Sequence, residues 1–449
     1  MPVTERFSVI SRINENHKLI VLVKNIVRLL LALVVLESCA RVNNKKVTSA
    51  PINEGDTSLV SHVTPLTPEE LSYYKRMVSG HVDSTFSKTR FNGSVLVAKN
   101  GQIIYEMYNG FVDPRTRKDS ITPSTPFHLA SVSKTFTGMA TLKLWQDGKL
   151  NIDDPVSKYL PGFPLEAVTV RLLLNHRSGI PKYDHYMGSM GWDKHKMVSN
   201  QDVLDFLIAN YKKIPIAPAN RGFSYSNTNF ALLALIIEKV SGMPYPQYLK
   251  KTFFDPLGMK DSYVFTRADS AKYMPSFYYS GKEYKFEFLD AVYGDKNVYS
   301  TVRDLLKWDQ GLKNESLFKK STLDQAYAGY SFEKPGTHNY GLGWRMYLLN
   351  NGKKLIYHNG WWHGNRTSFY RMQDEDATII ALCNNDCRYV YKVKEMADIF
   401  GDYLQNNNRY DDEDPNQQQV AGAEKPVAKH RPHGVAHKKK TARHRSAKK

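Results

Sequence analysis

Strand-forming runs stand near the two ends of this chain's central body, and its middle carries a helical pattern instead. Two runs come early, at residues 93–98 and 102–108, with Asn100-Gly101 between them as a hairpin turn. Three come late, at 354–358, 368–372 and 377–383. Between them, from Ser131 to about Gly311, helices and loops prevail, and residues 230–240 are apolar nearly all round, which predicts a buried helix. Strands at both ends can share one core only by pairing with each other. The expected fold is therefore α/β (α+β): an antiparallel five-stranded sheet flanked by helices, with a mostly helical domain inserted and a functional cleft between the two parts. Thr67 and Pro68 predict the start of a leading helix over 69–88, and an amphipathic helix is expected to close the body over 391–404.

The rest of the 449 residues divide around that body. Lys18, Lys24 and Arg28 lead into a short apolar run, 29–36, followed by Leu36-Glu37-Ser38-Cys39. A basic stretch, a short apolar stretch and a small residue describe an export signal. A cysteine directly after the small residue resembles a bacterial lipobox and marks Cys39 for lipidation. The competing reading is an uncleaved anchor over about 19–36, interrupted by Lys24 and Arg28. Either reading predicts a body outside the cytoplasm and tethered to a membrane. The expected organisation is thus 1–38 signal or anchor, 39–68 flexible tether, 69–405 catalytic body and 406–449 disordered basic tail.

The net charge of +18 is concentrated in that tail. Residues 421–449 carry ten Lys or Arg against one acid, Glu424, so the body is only mildly basic. The tail has few aromatics for base stacking, which argues against nucleic acid as a partner and for a solvated charged segment. Three cysteines are too few for a disulfide scaffold, and no Cys/His cluster has zinc spacing, so no metal and no cofactor are expected. Cys383 and Cys387 are expected to be free thiols. Nothing in the sequence sets the oligomeric state.

The chemistry is expected in three short motifs. In Ser131-Val-Ser-Lys134, residues three apart share a helix face, so the Lys134 amine can reach the Ser131 hydroxyl and, if deprotonated, accept its proton. Spacing alone proves little, because Ser-x-x-Lys also starts at Ser72, Ser316, Ser331 and Ser446. The setting of Ser131 distinguishes it: two strands precede it, and the apolar run 127–130 leads into it. In Tyr225-Ser-Asn227, the phenol can act as base toward Ser131 and acid toward the leaving group, and Asn227 can hydrogen-bond both Lys134 and a substrate amide. In His358-Asn359-Gly360, the only His-x-Gly of the chain, glycine lets a strand approach a ligand closely. His358 is expected to face the cleft and support its positive field. The backbone N–H of Trp361 would pair with that of Ser131 as an oxyanion hole.

The ordered set Ser-x-x-Lys, Tyr-x-Asn, His-x-Gly resembles the serine β-lactamase and penicillin-binding family in its class C-like branch, with DD-peptidase and esterase relatives. The stretches 149–161, 170–181, 254–259, 299–304 and 340–344 are similar to that family's connecting segments, and the resemblance runs from about Phe91 to Leu404. It implies a serine acyl-hydrolase with Ser131, Lys134 and Tyr225 as catalytic groups and Asn227, His358, Asn359, Gly360 and Trp361 as substrate-binding positions. The implied substrate is a D-amino-acyl or peptidoglycan-type peptide, an ester or a β-lactam. A non-hydrolysing penicillin-recognising sensor or cell-wall binder is the alternative. The chain departs from the usual pattern in its third motif. Histidine replaces the lysine of most true β-lactamases, and Trp361-Trp362-His363 replaces a slim segment, which turns the expectation toward a peptidase or esterase relative. The two indoles are expected to narrow the cleft or to floor it.

Overall fold

A computed structural model describes residues 63–403. The signal or anchor segment with Cys39, most of the tether and the basic tail lie outside the described residues. Among the described residues no helix is long and apolar enough to cross a membrane.

The sheet is built from both ends of the body, as expected, but it has seven strands and not five. β1 (Gly93–Lys99) and β2 (Gln102–Asn109) form the early hairpin. Asn100 and Gly101 both take positive φ, 53° and 73°, as a tight hairpin turn with the right twist requires. The later strands are β6 (His338–Tyr340), β7 (Arg345–Leu348), β8 (Lys354–Trp362), β9 (Asn365–Met372) and β10 (Ala377–Cys383). Their order is β2-β1-β10-β9-β8-β7-β6, with every pairing antiparallel. The two additional strands, β6 and β7, are three and four residues long, too short for an alternation pattern to show in sequence. β8 runs four residues past its expected end and carries the whole third motif within the sheet.

A smaller sheet of β3 (Phe127–His128), β4 (Tyr263–Val264) and β5 (Val298–Ser300) has the order β3-β5-β4; β4 and β5 lie in the segment expected to be helical, and β3 just before it.

Two apolar cores sandwich the large sheet. Leu96, Ile356, Phe369, Ile380 and Leu382 face one core, which they share with the inserted helices. Val95, Val97, Tyr357, Tyr370 and Ile379 face the other, which is covered by the helix Pro68–Phe86 and the C-terminal segment Arg388–Ile399. The leading helix starts where Thr67 and Glu70 form a reciprocal capping box. The closing segment is wound as a 3₁₀ helix and ends earlier than the expected amphipathic helix. The helix Asn227–Ser241 is buried at every position from Thr228 to Ile237, as its apolar sequence predicts. Cys383 and Cys387 are buried free thiols.

Candidate active site

Ser131 sits in a 3₁₀ turn, Ala130–Val132, that leads directly into the helix Ser133–Gln146. Ala130 adopts φ +48°, an uncommon conformation for a residue with a Cβ. The surroundings hold it there. Its N–H donates to His128 Nδ1 at 3.1 Å, and His128 Nε2 is 2.9 Å from Asn297 Oδ1. The Leu129 N–H donates to the Val298 carbonyl, and the Leu129 carbonyl accepts from Thr367 Oγ1 at 2.7 Å. Both sheets therefore grip the turn just before the nucleophile.

Lys134 Nζ is 3.1 Å from Ser131 Oγ, 3.0 Å from Asn227 Oδ1 and 2.8 Å from the Asp295 carbonyl oxygen. The ammonium form uses all three of its donors on these contacts. The neutral amine has two N–H groups and one lone pair. Asn227 Oδ1 and the Asp295 carbonyl can only accept, so the lone pair is left for the Ser131 hydroxyl. Burial is the main force holding the Lys134 pKa down, to about 7, with help from the cations of Lys296 and Arg345 and opposition from Asp295 and Asp184. The other Ser-x-x-Lys lysines among the described residues, Lys75, Lys319 and Lys334, are exposed. Among the described residues, burial thus separates the Ser131 tetrad from its look-alikes.

Tyr225 and Asn227 stand at the start of the helix Asn227–Ser241. His176 brackets the tyrosine: its carbonyl accepts from the Ser224 N–H at 2.8 Å, its Nδ1 accepts from the Ser226 N–H at 3.1 Å, and its ring lies 4.3 Å from the Tyr225 ring. Burial keeps His176 neutral. Three cations face the Tyr225 ring: Lys134 at 5.0 Å, Arg345 at 4.9 Å and Lys182 at 5.7 Å. Asn227 Nδ2 donates to Asp184 Oδ1 at 3.2 Å, on the short helix Tyr183–Ser189.

The third motif follows the two-residue period of a strand. His358 and Gly360 point toward Ser131 and Tyr225, while Asn359 points to the opposite face, where its Nδ2 donates to the Tyr370 hydroxyl at 3.0 Å. A Cβ on Gly360 would lie 2.4 Å from the Leu129 carbonyl and 3.0 Å from the Ala130 Cβ, so only glycine lets β8 press against the nucleophile turn.

Three expectations are corrected here. Asn359, expected at a substrate-binding position, is directed to the opposite face of the sheet by strand alternation. His358 is fully buried, with Nε2 3.2 Å from the Tyr340 hydroxyl and Nδ1 2.7 Å from the Asn359 carbonyl. Burial first, then Arg345 and Lys134, hold its pKa well below the ordinary range, so it is a neutral group and not a source of positive field. The Trp361 indole also faces away, under the Arg366 guanidinium at 4.2 Å, so only Trp362 of the two indoles is on the site face. The Trp361 backbone amide follows Gly360 directly, on the strand that packs against the nucleophile turn.

Sequence reasoning missed Arg345, His176 and the pair Asp295 and Lys296. Arg345 lies on β7, opposite Tyr357, on a strand too short to predict. His176 falls in a stretch matched to the family but given no role.

Among the described residues there is one group of potential metal ligands, in which atoms of Glu287, Asp290 and His363 lie within 4.8 Å of one another. Asp290 Oδ1 there accepts from the Trp362 indole at 2.7 Å and is 2.9 Å from His363 Nε2. The burial cost to the Asp290 carboxylate is outweighed by these partners, His363 first, and its pKa is lowered. The arrangement is accounted for as a hydrogen-bonded brace of the β8–β9 turn.

Comparison with known proteins identifies the family and the fold. A family profile described as Beta-lactamase matches residues 76–392. Penicillin-binding protein 4* of Bacillus subtilis (strain 168) is 34% identical over 335 residues, covering 70% of this chain and 73% of that protein. Among solved structures, the penicillin binding protein from Bacillus halodurans superposes with TM-score 0.63 at 23% identity, covering 72% of this chain and 98% of that one. The D-amino acid amidase from Ochrobactrum anthropi SV3 superposes with TM-score 0.58 at 24% identity, covering 73% and 96%. At these identities the solved structures speak for the fold.

Proposed function

The chain belongs to the β-lactamase family of serine hydrolases, and from that premise we propose that it forms an acyl-enzyme on Ser131 and hydrolyses a D-amino-acyl amide or peptide, or a related ester, in preference to β-lactams. The observation that carries this reading is the buried Lys134 amine, 3.1 Å from Ser131 Oγ and with its other two partners both acceptors. Above about pH 7 the neutral amine takes the Ser131 proton as Oγ attacks the acyl carbon. Arg345 and Lys182 beside the Tyr225 ring favour negative charge near the reacting centre, and the phenol is the proposed proton donor to the leaving group. The Trp361 and Ser131 amides are the proposed donors to the oxyanion. Water then releases the acyl group from Ser131.

The substrate preference rests on the third motif. Its histidine is neutral and enclosed, and Trp362 with His363 braces the strand end, in place of the lysine and slim segment of efficient β-lactamases. An amide substrate is also what the name of one neighbour in fold, the D-amino acid amidase, indicates for that protein. The proposed place of action is outside the cytoplasm, with the body tethered at a lipidated Cys39 or by the apolar segment before it, next to a peptidoglycan-type peptide.

The test is intact-mass spectrometry after exposure to a penicillin, an activated ester and a D-Ala-D-Ala peptide. A transient adduct with turnover of the peptide or ester is expected, and Ser131→Ala should abolish it with the fold intact. A permanent adduct without turnover would make the protein a sensor. Parental turnover in Ser131→Ala would overturn the assignment.

A further inference from the structure

The third partner of Lys134 lies outside the three motifs. Asp295 and Lys296 sit in a tight segment before β5, flanked by Gly294 at φ 93° and Asn297 at φ 74°. This turn brings the Asp295 carbonyl to 2.8 Å from Lys134 Nζ. It also buries two opposite charges side by side, with side-chain exposures of 1% for Asp295 and 2% for Lys296. Asp295 Oδ2 accepts from the Tyr183 hydroxyl at 3.1 Å and is 3.5 Å from Lys296 Nζ. Asp295 Oδ1 is buried and has no hydrogen-bond partner among the described residues. Lys296 donates to the Tyr183 hydroxyl and lies 4.5 Å over the Trp362 ring.

The pair therefore touches three parts of the site at once: the Lys134 amine, the helix that carries Asp184 and hence Asn227, and the strand end beyond Gly360. A buried ion pair is a poor device for stability alone, since apolar residues of equal volume often do as well or better. A carboxylate oxygen left unbonded makes the point stronger, because burying it costs without return. The arrangement is better explained by what its charges do to their neighbour.

We propose that Asp295 and Lys296 are a positioning pair for Lys134: the Asp295 carbonyl aims the amine, and the two opposite charges set from either side how readily it releases its proton to become the base for Ser131. This rests on the acyl-enzyme reading above. Each charged or titratable group facing the amine has a defined part. Asp295 and Asp184 favour the ammonium, while Lys296 and Arg345 disfavour it. His176 and His358 are held neutral by burial, and Tyr225 and Lys182 complete the enclosure. Asp295 and Lys296 are the two largest charge influences in that set and act in opposite directions, so removing one unbalances it.

The experiment is the pH dependence of single-turnover acylation by an activated ester, with folding of each variant checked by circular dichroism. Asp295→Asn keeps the carbonyl and the shape but removes the negative charge, so the acid limb should move down by about one pH unit. Lys296→Gln removes the positive charge, so the limb should move up. The double variant should fall near the parent. An unmoved or raised limb in folded Asp295→Asn overturns the proposal. If that variant does not fold, the Lys296→Gln arm decides, and an unmoved or lowered limb there overturns it. Either failure with Ser131-dependent acylation intact in the parent sinks this pair alone. Loss of Ser131 dependence in the parent sinks the acyl-enzyme reading itself.

Discussion

Gly360 and Leu129 are in backbone contact so close that a single methyl group cannot enter: a Cβ on Gly360 would stand 2.4 Å from the Leu129 carbonyl oxygen. That carbonyl is also held by Thr367 Oγ1, so it cannot retreat without losing a buried hydrogen bond. The contact sets the separation between the third motif and the nucleophile turn. Gly360→Ala should therefore displace the turn while the rest of the sheet holds. Because misplacement by roughly 1 Å can cost about 10²-fold, a loss of that order in acylation rate is expected, with a folded protein by circular dichroism. A rate within a few-fold of the parent would show that the contact does not set the geometry.

Lys134 should govern the acid side of the pH profile. Acylation requires the neutral amine, so its rate should rise with pH and level off above the Lys134 pKa of about 7. Lys134→Ala should lower the acylation rate by about 10²- to 10⁴-fold and remove that limb. The measurement is single-turnover acylation by an activated ester over the neutral range.

Arg345, and not His358, is a source of positive field beside Tyr225, its guanidinium 4.9 Å from the ring. Arg345→Gln should reduce kcat/KM by about 10²-fold, the scale of losing one donor to developing negative charge. His358→Gln, which removes a neutral ring, should cost less and should leave the acid limb where it is. Equal losses in the two variants would return His358 to the role that its motif suggested.

Asp309 should matter to stability rather than to chemistry. It is buried, with Arg371 Nε at 2.5 Å, Lys313 Nζ at 2.8 Å and Thr378 Oγ1 at 2.8 Å, and so ties the helix Val302–Gly311 to β9 and β10. Burial pushes its pKa up, but Lys313 and Arg371 outweigh burial and hold it at about 2. The folded pKa is lower than the unfolded one, so this contribution is complete above about pH 4 and is lost as pH falls through about 2. Asp309→Ala leaves Arg371 buried without its carboxylate and should cost about 3–5 kcal/mol, read as a lower midpoint in urea unfolding.

Much of this was legible in the sequence because the signals were local. The Asn100-Gly101 turn, the Thr67-Pro68 helix start and the all-apolar helix each declare themselves within a few residues. The family was legible too, since Ser131, Tyr225 and His358 lie in motifs whose order along the chain matches it. What failed was direction and partnership. The side-chain alternation of β8 would have placed Asn359 and the Trp361 indole on the far face, had the strand been read through to Trp362. Arg345 and the Asp295–Lys296 pair gave no signal, because their roles depend on neighbours more than a hundred residues away.

The pairing of β1 with β10 also constrains how the protein can be made. Gly93 lies opposite Cys383 and Lys99 opposite Ala377, so partners are separated by about 280 residues. A ribosome finishes the β1–β2 hairpin long before the strand that completes its neighbourhood exists. Until then one edge of β1 is open; Val95 and Val97 have the leading helix but not the C-terminal segment that completes their cover, and Leu96 on the other face lacks the late strands beside it. The inserted helices can condense in the meantime, because their contacts are more local. The nucleophile turn, gripped by β8 and β9, is then among the last features to take shape. A nascent chain stopped before β10 should hold no acylating serine, however well its helices have folded.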